Sequence, residues 1–324
     1  MGRTGGVDLG GTKIQTAIVE PDGTVAGQSR RPTPTTGGPT DVIEEIAGAL
    51  RDACAEAGIE TSSLDGIGLG SPGKVDDEAG TVAGARNLPG WEGAFDVRAA
   101  LEQAFGAAVS LGNDVQVATD AEFALGVGRE YNSLLGVFWG TGVGGGIVLD
   151  GRPWIGRDAA GEIGHVVVRQ GGALCGCGRR GCMEAYAGRA AMEGRARRRH
   201  DRGEKTILFK LMRERGRTRL TSGVWARALE KGDPMARNLL DRAVRALGAG
   251  VASTQNVLDV EAIVIGGGLG IRLGEPYVER IREAMTPHLF NDERPPAIEV
   301  AALGDLGGAI GASLLVHSGA TASS

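Results

Sequence analysis

The sequence predicts an α/β protein of two domains that face each other across a cleft. Three observations predict it. The 324 residues are enough for two domains, and an apolar share of 42% suits a globular chain with a real core. Strand-like and helix-like segments alternate along the chain rather than segregating. The order also repeats. Each half opens on two strands joined by a glycine-rich bend, D-L-G-G-T-K at 8–13 in the first and W-G-T-G-V-G at 139–144 in the second. Duplicated halves of this kind leave a crevice where ligands bind and where closure excludes water.

Short runs at 6–9, 14–19 and 24–29 read as strands, with Gly10-Gly11 and Asp22-Gly23 as the turns between them. Residues 41–57 have helical spacing, with Val42, Ile43, Ile46, Ala49 and Leu50 on one face. A buried strand at 66–70, a helix at 96–105, a short strand at 109–111 and a helix at 114–125 follow. In the second half, strands at 134–139 and 146–149 flank a glycine-rich turn. Long helices come next, including 233–258, then a strand at 262–265, a helix at 275–285, a strand at 298–301 and a small-residue helix at 306–317. That last helix is expected to return to the first domain. The expected division is therefore 1–113 plus about 306–324 for the N-terminal domain and 114–305 for the C-terminal one. The tail after His317 (SGATASS) reads as disordered.

Composition narrows the function. The chain has 56 glycines but only 4% aromatics, which favours tight turns and backbone-lined ligand sites over stacking platforms. A net charge of −5 argues against a nucleic-acid partner. The basic run at 195–202 (RARRRHDR) reads as a solvated helix face, because Asp201 interrupts it and Glu193 and Glu204 flank it. No apolar run reaches the ~18 residues of a membrane span. The first strand begins too close to Met1 for a signal peptide, so a cytoplasmic protein with no membrane partner is expected.

The most specific local pattern is H-x9-C-x-C-x4-C, formed by His165, Cys175, Cys177 and Cys182, with three of the chain's four cysteines. One imidazole and three thiolates close a tetrahedral shell around Zn2+, a structural rather than a water-activating arrangement. Free buried thiols are the alternative. Disulfides fit poorly with cysteines so close together in a cytosolic chain. Cys54 reads as a small core residue, and His200, His288 and His317 show no partner pattern.

Three glycine clusters stand at strand ends. Gly10 and Gly11 let backbone N–H groups face an anion, and Thr12 adds a hydroxyl. Asp8 is placed to orient Mg2+ through water, and Lys13 is available to a phosphate or to solvent. An ordinary hairpin would explain that bend equally well. The second cluster, 140–146 (GTGVGGG), is neither a P-loop nor a Rossmann fingerprint, since a strand follows it. The third, Gly266-Gly267-Gly268, lets a flat ligand approach the backbone. Together they point to a nucleotide. Asn113-Asp114 sits between a strand and a helix, where the Asp114 carboxylate suits either a general base or a helix N-cap.

With these motifs assembled, the chain resembles the ROK family (repressors, open reading frames, kinases) of bacterial sugar kinases, within the hexokinase/actin superfamily. The resemblance rests on V-D-L-G-G-T-K at 7–13, N-L-P-G-W at 87–91, N-D at 113–114, G-T-G-V-G-G-G at 140–146, G-E-I-G-H at 161–165, C-G-C-G-R-R-G-C-M-E at 175–184 and V-I-G-G-G at 264–268. It implies two actin-like (ribonuclease H-like) domains and transfer of the γ-phosphoryl group of ATP to the 6-hydroxyl of a hexose, glucose first. Fructose, mannose, N-acetylglucosamine and N-acetylmannosamine remain open as acceptors. Asp114 is implied as the base. Asn87, Asn113, Glu162, His165 and Glu184 are implied to bind the sugar hydroxyls, with His165 also a zinc ligand. Gly10, Gly11, Thr12, Thr141 and Gly142 match the phosphate loops, and Gly267 and Gly268 the adenosine region. Relatives are usually dimers or tetramers, so a homodimer or homotetramer is implied. A repressor of this family would carry a helix-turn-helix before the first phosphate motif, which here begins at Val7. The chain departs from the family's pattern at Val115-Gln116, where Ala-Asn is usual, at Trp139 before the second phosphate loop, and at Gly188, where serine is common.

Overall fold

The computed structural model describes residues 2–85 and 87–318, so the tail beyond residue 318 lies outside the described residues. Runs of buried β-branched and aliphatic residues build the first sheet. β1 (Thr4–Leu9), β2 (Lys13–Val19) and β3 (Val25–Pro32) pair antiparallel across tight turns. Then α1 (Pro39–Glu56) buries Val42, Ile43, Ile46, Leu50 and Cys54. β4 (Gly66–Ser71) joins β1 in parallel. A three-stranded antiparallel patch of β5 (Lys74–Asp76), β6 (Thr81–Ala83) and β7 (Ala94–Asp96) follows. α2 (Val97–Phe105) is capped by the Asp96 carboxylate, and β8 (Val109–Asn113) completes the order β3-β2-β1-β4-β8.

After α3 (Asp114–Ala124), the second sheet repeats the first. β9 (Leu134–Trp139), β10 (Val143–Leu149) and β11 (Arg152–Pro153) form an antiparallel ribbon. The helices α4 (Glu184–Ala187), α5 (Arg189–Asp201), α6 (Leu208–Glu214), α7 (Ser222–Glu230) and α8 (Pro234–Leu258) are inserted next. β12 (Ala262–Gly266) is followed by α9 (Gly267–Leu273), α10 (Glu275–Met285), β13 (Ala297–Val300) and α11 (Gly307–Ser318). β12 and β13 extend the ribbon in parallel, giving β11-β10-β9-β12-β13. The two sheets thus share one strand order and one pattern of antiparallel and parallel pairs.

Glycine placement explains much of the unusual composition. A Cβ at Gly6 or Gly68 would collide with the Ala309 or Ala312 carbonyl oxygen of α11, which lies directly on β1 and β4. α3 is seated the same way on both sheets. Val117 meets Gly70 and Gly112 in the first, while Val115 meets Gly144 and Thr119 meets Gly136 and Gly146 in the second. Gly68→Ala should therefore push α11 off its sheet and cost about 3 kcal/mol, as overpacking of a tight contact does. Urea unfolding should show a lower midpoint with an unchanged slope.

Two expectations need correction, and one element lay outside the sequence reading. Residues 143–146 are strand, not bend, with Gly144 and Gly146 lining the α3 seat and Gly145 packed against Gly161 and Ile163; the turn is confined to 140–142. The patch β5–β7 escapes a reading by periodicity, since three-residue strands show no alternation. The basic run at 195–202 is solvated at Arg198, His200, Asp201 and Arg202, as expected, but Arg197 and Arg199 are engaged. Arg197 pairs with Glu193 at 2.6 Å and lies over the Phe209 ring of α6. Arg199 pairs with Glu204 and donates to Asn238 at 2.7 Å, and His200 stacks on Phe209. Among the described residues no helix is long and apolar enough to cross a membrane.

Candidate active site

The ends of β1, β9 and β12 and the start of α3 carry the residues singled out above. At the close of β1, Asp8 stands opposite Lys13, whose Nζ lies 3.8 Å from the carboxylate and donates to the Asp305 carbonyl at 3.3 Å. Lys13 is thus tied into the protein rather than free in solvent. The first bend is closed by a Gly10 N–H to Lys13 carbonyl bond of 2.9 Å and by the Thr33 hydroxyl donating to the Gly10 carbonyl at 2.6 Å. Asn87 presses on this bend: a Cβ at Gly11 would lie 2.9 Å from its Nδ2. Thr12 is exposed at the tip.

The role of helix cap falls to Asn113, not Asp114. The Asn113 Oδ1 accepts from the Val115 N–H at 3.0 Å and the Gln116 N–H at 3.1 Å. Its Nδ2 remains available to donate. Asp114 is the first helical residue, with Oδ1 3.0 Å from the Val115 N–H. Burial, then the negative charge of Asp8 and more weakly that of Glu162, push its carboxyl up to about 7 against the Val115 N–H. Asp8 is raised too, chiefly by burial, with Lys13 opposing. Val115 and Gln116 bind α3 to β10. The Gln116 Oε1 accepts from the Ile147 N–H at 3.0 Å, and its Nε2 donates to the Ile147 carbonyl at 3.1 Å and to Asp120 at 2.7 Å. Both departures from the family pattern therefore serve the helix seat.

The imidazole and thiols converge. His165, Cys175, Cys177 and Cys182 offer ligand atoms that all lie within 4.8 Å of one another. The Cys175 Sγ is 3.8 Å from the His165 Nδ1, and the Cys177 and Cys182 sulfurs are 3.8 Å apart. A tetrahedron with metal–sulfur bonds of ~2.3 Å has edges of about 3.8 Å, so donor chemistry and spacing both fit Zn2+. The other imidazole nitrogen, Nε2, is 3.7 Å from the exposed Glu162 carboxylate.

Glu184 joins this cluster to the second bend. Its Oε1 accepts from the Cys175 thiol at 3.5 Å and its Oε2 from the Val143 N–H at 3.0 Å. A Cβ at Gly142 would overlap that carboxylate, so a larger residue there would have to displace Glu184. Trp139 is fully buried behind the bend, with its Nε1 donating to the Ala187 carbonyl at 2.8 Å. Gly267 has φ 76° and sits against the Trp139 backbone, a conformation and approach open only to glycine. Gly268 is exposed beside Ser222. One residue escaped the sequence reading: Arg189, whose Nη2 donates to the Thr141 hydroxyl at 2.6 Å. Its only signal was a position directly after Gly188.

These residues bring a buried carboxyl, two glycine-rich bends and a sulfur-rich cluster able to hold a metal into one region. The ROK family sequence model matches residues 4–319. A glucokinase of Thermotoga maritima is 33% identical, over 88% of this chain and 87% of its own length. An N-acetylmannosamine kinase of Vibrio cholerae is 32% identical, over 91% and 94%. The crystal structure of a ROK family glucokinase from Streptomyces griseus in complex with glucose and AMPPNP superposes with a TM-score of 0.85 at 31% identity, covering 98% of this chain and all of that one. Fold, motif order and sequence agree: the chain belongs to the ROK family.

Proposed function

We propose that this protein transfers the γ-phosphoryl group of ATP to the 6-hydroxyl of a hexose, glucose foremost, with Asp114 as the general base. The observation that carries this reading is the Asp114 carboxyl at the start of α3, held near neutrality by burial and by Asp8. A base with a pKa near the working pH is effective in both accepting and releasing a proton. Asp114 takes the hydroxyl proton as the sugar oxygen bonds to the γ-phosphorus and the bond to the bridging oxygen breaks, releasing ADP. Asn87, Asn113 (through Nδ2), Glu162, His165 and Glu184 orient the ring hydroxyls. The bend whose turn Gly10 closes offers the Gly11 and Thr12 N–H groups to the phosphates, the second bend offers those of Thr141 and Gly142, and Gly267 and Gly268 admit the adenosine.

Mg2+ carried with the nucleotide, within reach of Asp8, would neutralise charge on the phosphates. His165, Cys175, Cys177 and Cys182 would hold Zn2+ as a support for the sugar wall. Closure of 1–113 plus 306–324 on 114–305 would exclude water as a competing acceptor. The glucokinase relatives from Thermotoga and Streptomyces support glucose. The Vibrio relative supports N-acetylmannosamine as a second reading.

ADP release measured over hexoses and N-acetylhexosamines tests this. The expected result is the highest kcat/KM with glucose. Preference for an N-acetylhexosamine would overturn the glucose assignment, and no turnover with any sugar would overturn the kinase reading.

A further inference from the structure

Arg189 opens α5 and is fastened to the second bend twice through the backbone. Its own N–H donates to the Gly140 carbonyl at 3.1 Å, and the Ala190 N–H donates to the Thr141 carbonyl at 3.0 Å. Its guanidinium finds only neutral partners, the Thr141 hydroxyl at 2.6 Å and the Leu220 carbonyl at 2.9 Å. The acid that acts on it electrostatically, the buried Glu193, is already engaged. Glu193 receives Arg197 at 2.6 Å, Arg219 at 3.3 Å and the Leu220 N–H at 3.0 Å. Two other guanidiniums therefore hold that carboxylate, and among the described residues Arg189 makes no ion pair of its own. Burial and the neighbouring Arg219 both work against its charge, with Glu193 opposing. A half-buried cation whose nearest acid is already paired gains when a ligand supplies an anion.

The location says which anion. The Thr141 hydroxyl that it bonds belongs to the bend at 140–142, Gly140 of that bend stands against the Gly268 backbone, and Gly268 stands against the Ser222 hydroxyl at the start of α7, two residues beyond Leu220. With two of its five N–H groups used, three remain for a ligand at this bend. We propose that Arg189 binds a phosphate of the nucleotide where the phosphate chain meets the adenosine, an assignment that rests on the kinase reading above. A guanidinium suits this task because its planar fork matches two phosphate oxygens at once.

Titration calorimetry with ADP and with adenosine, on wild type, Arg189→Met and Arg189→Lys, tests the assignment. In Arg189→Met, ADP affinity should fall about 10- to 100-fold while adenosine affinity stays within about twofold. Retained adenosine binding shows that the variant is folded. Arg189→Lys should recover part of the loss, and ADP binding should depend less steeply on salt in Arg189→Met than in wild type. Equal losses for both ligands would mean that Arg189 only braces Leu220 and the bend. Unchanged ADP binding would mean that it faces solvent. Either result overturns the proposal while leaving the kinase reading standing. A wild-type protein that binds neither ADP nor adenosine would overturn both.

Discussion

Asp114→Asn is expected to lower kcat about 10²- to 10⁴-fold, the usual contribution of a positioned general base. The amide keeps the size of the side chain and can still accept from the Val115 N–H, but it cannot take a proton. Sugar affinity should change little. The pH dependence adds a check. The carboxyl is raised to about 7, so it is protonated and inactive below that value, and wild-type kcat/KM should rise with pH through about 7 and then level off. The effect on stability has the opposite sense. An acid whose folded-state pKa lies above its ordinary value of 3.8 favours folding at low pH, and this is lost as pH rises through the folded pKa. Asp114→Asn escapes that loss and should melt no lower than wild type at pH 8. A variant that keeps more than about a tenth of wild-type activity, or that melts far below wild type, would remove Asp114 from the role of base.

Cys182→Ser should abolish bound zinc, lower stability by about 4 kcal/mol and lower Tm by roughly 10 °C. Cys182 is fully buried, and its sulfur is 3.8 Å from that of Cys177. A chelator should do the same to wild type and nothing further to the variant. The consequence should reach the site. With Cys175 and His165 unfastened, Glu184 and the second imidazole nitrogen lose their orientation, so KM for the sugar should rise more than kcat falls. Metal analysis of the purified protein together with melting curves decides it. Protein that contains no zinc, or whose Tm and KM ignore zinc removal, rules the metal reading out.

What could be read from the chain follows from distance along it. His165, Cys175, Cys177 and Cys182 lie within 18 residues, so spacing alone suggested a cluster. The helix at 275–285 was legible in full, because Gly274 precedes it and its apolar residues recur at helical intervals. The repeated opening of the two halves was also legible, and it corresponds to two sheets of one strand order. Other features depend on partners remote in sequence. The raised carboxyl of Asp114 needs the fold to bury it and, secondarily, to bring Asp8 near it. The placement of Arg189 needs Thr141, 48 residues earlier. Gly144 and Gly146 read as part of a ligand loop because a glycine run looks the same whether it faces a phosphate or a helix. Only the arrival of α3 distinguishes the two.

The pairing of Gln116 with Ile147 bears on how such proteins change their diet. The helix that carries the proposed proton acceptor is seated on small residues and held by one amide locked to a strand, and of its anchors only the Asn113 cap is also proposed to touch the sugar. The rim at Asn87, Glu162 and His165 can therefore be rebuilt for a new epimer or an added acetamido group without re-aiming the catalyst. Selectivity and chemistry are separately heritable in this architecture, and relatives with unlike substrates are what separate inheritance would leave behind.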